Sequence, residues 1–162
     1  MTTKASAEKF KVPKPQRVLI VCKGNICRSP TVAAVLDSRL KASALGIEVD
    51  AAGTENYHVG SSPDKRSIQH AAKRGYDLSH HRARQVIASD FKSFDLILAA
   101  DEANLSELLR ICPSEYHSKL SLFLGTQELP DPYYGGAEGF EHVLNLTEHR
   151  TEILVRQWQL IN

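Results

Sequence analysis

Val18-Leu19-Ile20-Val21-Cys22-Lys23-Gly24-Asn25-Ile26-Cys27-Arg28-Ser29-Pro30 is the stretch from which the rest of the chain is read. Its apolar start, rich in Val and Ile, predicts a buried strand that stops at a cysteine. A loop follows, and Ser29-Pro30 predicts a helix start. Ser supplies an N-cap oxygen, and Pro fits a first turn in which its missing N–H would have had no partner. The order is strand, loop, helix.

A loop held between a strand's carboxyl end and a helix N-terminus turns several backbone N–H groups toward one point, with the positive end of the helix dipole behind them. That is an anion cradle. Gly24 allows backbone angles closed to other residues, and Asn25 can bridge the loop's own backbone. Arg28 adds a planar fork that matches two phosphate oxygens. Cys22 sits on the cradle's floor, where amides, dipole and Arg28 all favour thiolate over thiol. A thiolate facing a phosphoryl group is a nucleophile. The nucleotide-binding pattern Gly-x-x-x-x-Gly-Lys-Ser/Thr does not fit this stretch.

Outward from the loop, residues 31–45 read as a helix, with Val32, Val35, Leu36 and Leu40 at helical spacing and Gly46 as the stop. Residues 47–51 read as a second strand. The strand–helix–strand unit implies a right-handed parallel crossover, which sets the loop at the carboxyl end of a parallel sheet, where open α/β folds bind ligands. A polar loop spans 53–62, a second helix 63–74, and a basic connection with His80, His81, Arg82 and Arg84 spans 78–86. A third strand covers 94–99, and Asp101 caps a helix that ends before Pro113. A fourth strand covers 119–124 and a long loop 125–136. Residues 137–160 form an amphipathic helix with Phe140, Val143, Leu144, Ile153, Leu154 and Trp158, and then Ile161, toward the sheet. The expected fold is α/β: a single, Rossmann-like domain with a four-stranded parallel sheet flanked by helices on both faces. Residues 1–16, with four lysines, read as a disordered basic tail before a domain at 17–162.

Composition narrows the function. At 162 residues the chain is about one domain, and 20 basic against 19 acidic residues give no reason to invoke nucleic acid. No apolar run approaches the roughly 18 residues that span a bilayer. Three cysteines are too few for a disulfide framework, and a nucleophilic thiolate needs reducing surroundings, so a cytoplasmic setting is expected. Seven histidines lack zinc spacing, so neither metal nor cofactor is expected.

Cys22-Lys23-Gly24-Asn25-Ile26-Cys27-Arg28-Ser29-Pro30 closely resembles the signature of the low-molecular-weight protein tyrosine phosphatases. Further similarity follows in the same order: Asp50-Ala51-Ala52-Gly53-Thr54, Tyr57-His58-Val59-Gly60, Pro63-Asp64, His81-Arg82-Ala83-Arg84-Gln85, Asp95 to Asp101, and Pro130-Asp131-Pro132-Tyr133-Tyr134-Gly135. The resemblance implies that family's phosphatase fold and its reaction. The Cys22 thiolate attacks phosphorus, Arg28 and the loop amides hold the oxygens, and Asp131 acts as general acid and then base. It implies supporting roles for Ser29, Asn25 and His81 and a pocket walled by Lys23, Tyr57, Tyr133 and Tyr134; Cys27 lies in the same curled loop as Cys22 and is expected to serve it as a redox partner through a shielding disulfide. The implied substrate is a phosphotyrosine protein or other aryl phosphate, inorganic phosphate is product and inhibitor, and the implied state is a monomer or weak dimer. Three positions depart from the pattern. Lys23 replaces an apolar residue at the pocket mouth, Ala51 replaces a Ser that bonds the loop Asn, and Tyr57 stands where some members have Trp. Asn25 is therefore expected to lean more on His81. Two other readings use the same loop: arsenate reduction, which needs a relay of further thiols, and a catalytically silent phosphate- or phosphotyrosine-binding module, which needs neither Cys22 nor Asp131.

Overall fold

The structure is a computed structural model that describes residues 14–161. Four strands, β1 (Arg17–Cys22), β2 (Glu48–Gly53), β3 (Leu96–Ala99) and β4 (Leu120–Leu122), form one sheet in the order β2-β1-β3-β4. Every neighbouring pair is parallel. The helices are α1 (Arg28–Ala42), α2 (Lys65–Lys73), α3 (Ala88–Ser93), α4 (Glu102–Ile111) and α5 (Ala137–Leu160), with a 3₁₀ helix at Ser114–Lys119.

The apolar run of β1 follows from its central place. Successive side chains of a strand point to opposite faces. Val18, Ile20 and Cys22 join a core with Val32, Leu36 and Leu40 of α1 and Val143, Leu154 and Trp158 of α5. Leu19 and Val21 join a second core with Phe91 of α3, Leu108 of α4 and Phe94. A parallel strand covered on both sides has no solvent face and reads as a continuous hydrophobic run. Each such side chain contributes roughly 1.5–3 kcal/mol on burial, so β1 anchors the sheet. The expected four-stranded parallel sheet with helices on both faces is the fold observed.

Several local expectations are corrected. α1 begins at Arg28, its N-cap position is Cys27, and no side chain caps it. Ser29 is buried inside the first turn and spends its hydroxyl elsewhere. α1 stops at Ala42, short of the expected 45, because Ala44 already has a positive φ of 53° and breaks the helical path. β2 runs on to Gly53, and β4 is three residues long because residues 114–119 coil into the 3₁₀ helix. α3 was not expected. It is six residues long, too short for a hydrophobic stripe, and is fixed by Asp90, which accepts from Ile87 N at 2.8 Å. In α5, Ile153 is 37% exposed, and Thr147, Thr151 and Val155 face inward. Asp101 caps α4 as expected, accepting from Asn104 N at 2.8 Å.

Of the expected tail, residues 1–13 lie outside the described residues. Gln16 N donates to Asp95 Oδ2 at 2.8 Å, and Lys14 Nζ to Leu45 O at 3.3 Å.

Candidate active site

The β1–α1 loop is closed over by the end of β2. Thr54 N donates to Cys22 O at 3.0 Å and Glu55 N to Lys23 O at 2.9 Å. Gly53 permits this approach: a Cβ there would lie 2.8 Å from Lys23 O. The left-handed turn expected at Gly24 falls on Asn25, whose φ is 59°. Asn tolerates that region better than most residues, and here its side chain is held on all sides. Asn25 Oδ1 accepts from Arg84 N at 2.9 Å and pairs with His81 Nε2 at 3.0 Å, while Nδ2 donates to Ser29 Oγ at 2.7 Å. Burial pushes the His81 imidazole below its ordinary range; Asp50 opposes that shift, and Arg84 and Arg82 add to it. Neutral His81 keeps one N–H, which it gives to Asn25.

Arg84 is therefore more than the solvated charge it resembles in sequence. Its guanidinium binds Asp90 at 3.0 and 3.2 Å and Asp50 at 3.1 Å, which fixes the backbone N–H that holds Asn25.

Two groups converge on the sulfur. Asn25 N donates to Cys22 Sγ at 3.3 Å, and Ser29 Oγ lies 3.1 Å from it. Because Asn25 Nδ2 already donates to Ser29 Oγ, the hydroxyl hydrogen is free to point at sulfur, the arrangement a thiolate accepts. Ser29 thus turns its hydroxyl toward the sulfur and, at 3.4 Å, toward Ala52 O, in place of the helix cap that its sequence position suggested.

Arg28 is 3% exposed. Its Nη1 donates to Asp101 Oδ2 at 2.7 Å and to Leu129 O at 2.9 Å, and Nη2 lies 3.7 Å from Asp131 Oδ2. Asp101 does two jobs with two oxygens: Oδ1 caps α4 and Oδ2 anchors Arg28. Only the cap is visible in sequence.

A cavity of about 220 Å³ opens over the loop. Buried Cys22, Ile26, Cys27 and Arg28 line it together with Gly24 and the exposed Lys23 and Asp131. Tyr57, Tyr133 and Tyr134 form its rim, with Tyr57 69% and Tyr134 88% exposed. The rings of Tyr133 and Tyr134 meet edge to face, centroids 4.9 Å apart. Asn25, Ser29 and His81 do not line the cavity and act on it through the loop's own hydrogen bonds. His58 also lines the cavity and was not singled out as a site residue; its ring packs so closely on Gly24 that a Cβ there would lie 2.9 Å from Cδ2.

Cys27 differs sharply from a reactive thiol. Burial pushes it up to about 12, the negative charge of Asp64 adds to that, and it stays protonated. Cys112, at the end of α4, is also raised by burial and donates to Pro113 O at 3.3 Å. Among the described residues no cluster of three or more His, Cys, Asp or Glu could hold a metal ion. Among them, too, no helix is long and apolar enough to cross a membrane.

An open parallel α/β sheet whose inner strand ends in a buried cysteine, with a buried arginine lining the same cavity, defines the class of site. Residues 17–160 match the model of the family described as low molecular weight phosphotyrosine protein phosphatase. A Synechocystis relative named for the same family is 45% identical over 141 residues, spanning 82% of this chain and 89% of its own. A protein tyrosine phosphatase from Entamoeba histolytica, solved with Hepes in its active site, superposes with a TM-score of 0.85 at 38% identity, covering 90% of this chain and 97% of that one. Wzb of Vibrio vulnificus, solved in complex with benzylphosphonate, superposes at 0.80 with 28% identity, over 87% of this chain and 97% of its own. The chain belongs to the low molecular weight phosphotyrosine protein phosphatase family, and it is a protein-tyrosine-phosphatase, a hydrolase of phosphoric monoesters.

Proposed function

We propose that this phosphatase hydrolyses phosphotyrosine and other aryl phosphates through a phosphocysteine on Cys22. The observation that carries the reading is the single cavity in which a sulfur with two donors, a buried guanidinium and a carboxyl group face one another. The Cys22 thiolate attacks phosphorus, the P–O bond to the phenol breaks, and Asp131 gives the leaving oxygen its proton. Water then attacks the phosphorus of the S–P bond. Asp131 takes the proton back, and phosphate leaves with the thiolate restored. Splitting one displacement into two easier ones is the advantage of the covalent route. Arg28 and the loop amides stabilise charge on the three non-bridging oxygens. The tyrosine rim offers flat faces to a phenyl ring, and the benzylphosphonate in complex with Wzb carries a phenyl ring one methylene away from a phosphonate, the outline of an aryl phosphate. Lys23 adds a positive charge at the entrance, which favours substrates with acidic neighbours.

Asp131→Ala tests the acid. Positioned proton transfer contributes typically 10²–10⁴-fold. The kcat/KM for phenyl phosphate, a poor leaving group, is expected to fall about 10²-fold or more, and that for 2,4-dinitrophenyl phosphate about tenfold or less. Equal losses across leaving groups would assign the proton to another donor.

Cys27 belongs to the same loop as Cys22, and oxidation of Cys22 by peroxide to a sulfenic acid would let Cys27 sulfur displace water and close a disulfide. A buried, protonated Cys27 attacks slowly. Mapping of peroxide-treated protein is expected to find the Cys22–Cys27 link; Cys22 recovered only as sulfonic acid would rule this protection out. Arsenate reduction fits less well, because the third thiol, Cys112, is buried at the end of α4 and already bonded to Pro113 O.

A further inference from the structure

Arg66 occupies the second position of α2, and Asp64 is the cap before it. Asp64 Oδ1 accepts from Arg66 N at 2.8 Å and from Arg66 Nε at 3.0 Å, while Oδ2 accepts from Nη2 at 2.9 Å. The fork is therefore held at its base by a carboxylate that shares its helix turn. That hydrogen bonding in turn holds the Asp64 carboxyl below the usual carboxylate range.

The fixed guanidinium reaches across to the loop that bears Asp131. Nη2 donates to Tyr133 O at 2.9 Å and Nη1 to Gly135 O at 3.4 Å. Its carbon lies 4.7 Å from the centroid of the Phe140 ring and 5.7 Å from that of Tyr133. Tyr133 N in turn donates to Asp131 Oδ1 at 3.0 Å, and at the other end Asp64 N donates to Ile26 O, in the phosphate-binding loop, at 2.8 Å. One continuous run of contacts links the loop that holds the nucleophile to the carboxyl group opposite it: Ile26, Asp64, Arg66, Tyr133, Asp131. Among the described residues, the hydrogen bonds that tie residues 131–135 to another element all come from Arg66. The loop has no sheet or helix of its own to define its position there.

We propose that Arg66 is a positioning residue that sets Asp131 over the Cys22 cradle for proton transfer; this rests on the reading of Asp131 as the acid. Its partner Asp64 neutralises its charge, so its effect comes from geometry more than from field. The planar fork satisfies the carboxylate and two carbonyls at once, which a single ammonium group cannot do. A displacement of about 1 Å at a reacting group can cost roughly 10²-fold, so a slack loop is expected to lose much of what Asp131 supplies.

The test compares kcat/KM for phenyl phosphate and 2,4-dinitrophenyl phosphate in wild type, Arg66→Ala, Asp131→Ala and the double variant, on protein whose fold is checked by circular dichroism. Arg66→Ala is expected to lower the phenyl phosphate value by about tenfold to 10²-fold, the dinitrophenyl value by less than about threefold, and neither by more than about threefold once Asp131 is gone. Arg66→Lys is expected to fall between wild type and Arg66→Ala on phenyl phosphate, and it carries the comparison alone if Arg66→Ala does not fold. Equal losses on both substrates, or an undiminished loss in the Asp131→Ala background, would make Arg66 a general staple and overturn the proposal. A flat leaving-group response in Asp131→Ala itself would remove the acid assignment and this inference with it. A steep response there with a flat one in the Arg66 variants would overturn this inference alone.

Discussion

Cys22→Ser is expected to abolish turnover while leaving oxyanion binding in place. A serine hydroxyl is not ionised near neutral pH, and the loop holds no base that would activate it: the neighbours of the sulfur are an amide N–H and a hydroxyl, both donors. Donors suit a sulfur that already carries charge and do nothing for an alcohol. Loss of an essential nucleophile costs on the order of 10⁴–10⁶-fold in kcat, and that is the scale expected for aryl phosphate hydrolysis here. Binding should survive, because the cradle is built by Asn25, Ser29, His81 and Arg84, which hold one another whether or not position 22 is sulfur. Replacing a thiolate by a neutral group also removes a like charge from beneath the bound anion, so inorganic phosphate should bind as tightly as before or more so. Calorimetric titration with phosphate beside para-nitrophenyl phosphate turnover reads both. Activity within tenfold of wild type would refute covalent catalysis, and lost phosphate binding would mean that the sulfur itself organises the loop.

What sequence could show depended on whether a feature is local or periodic. The central strand was legible because burial on both faces removes alternation and leaves an unbroken run from Val18 to Cys22. α1 was legible because Val32, Val35, Leu36 and Leu40 recur on one face, and the α4 cap because Asp101 precedes it directly. The converging residues of the cavity were legible through a contiguous loop and a resemblance that extends along the chain. Long-range side-chain partnerships were not. Arg28 and Asp101 stand 73 residues apart, Arg84 reaches Asp50 and Asp90, and Arg66 grips backbone carbonyls near Tyr133. No period in sequence announces such pairs; the sheet brings the strand ends together, and the pairs follow from it. Ser29 shows the same limit from the other side. A Ser before Pro at a helix start reads as a cap, but the sulfur and the Asn25 amide claim its hydroxyl once the loop curls over β1.

Arg28→Lys is the second substitution expected to have a large effect, and its pattern should differ from that of Asp131→Ala. In the folded chain Nη1 is committed to Asp101 and Leu129 O, so Nη2 and Nε remain to meet phosphate oxygens. On the proposed mechanism the fork is an adaptor between a half-buried carboxylate and a bound dianion. A lysine ammonium is compact and cannot span both. If it stays with Asp101 the phosphate loses its bidentate partner, and if it turns to the phosphate Asp101 is left without one. Arg28→Ala would add instability by stripping the partner from a half-buried carboxylate, which makes the lysine variant the cleaner probe. Removing one preorganised donor from developing charge costs about 10²–10³-fold, and an arginine on a transferring phosphoryl group 10³–10⁵-fold, so a loss of about 10³-fold in kcat/KM is expected. Because this charge sits on the non-bridging oxygens and not on the leaving oxygen, the loss should be nearly the same for phenyl and dinitrophenyl phosphate, and phosphate binding should weaken with it. Asp101→Asn leaves one carbonyl oxygen for the two donors, Asn104 N and Arg28 Nη1, so it should give up one of these contacts while leaving the guanidinium itself in place, and it should cost less than Arg28→Lys. An Arg28→Lys enzyme within tenfold of wild type would mean that the loop amides and the helix dipole alone carry the phosphoryl group, and that the buried guanidinium serves to tie the loop to α4.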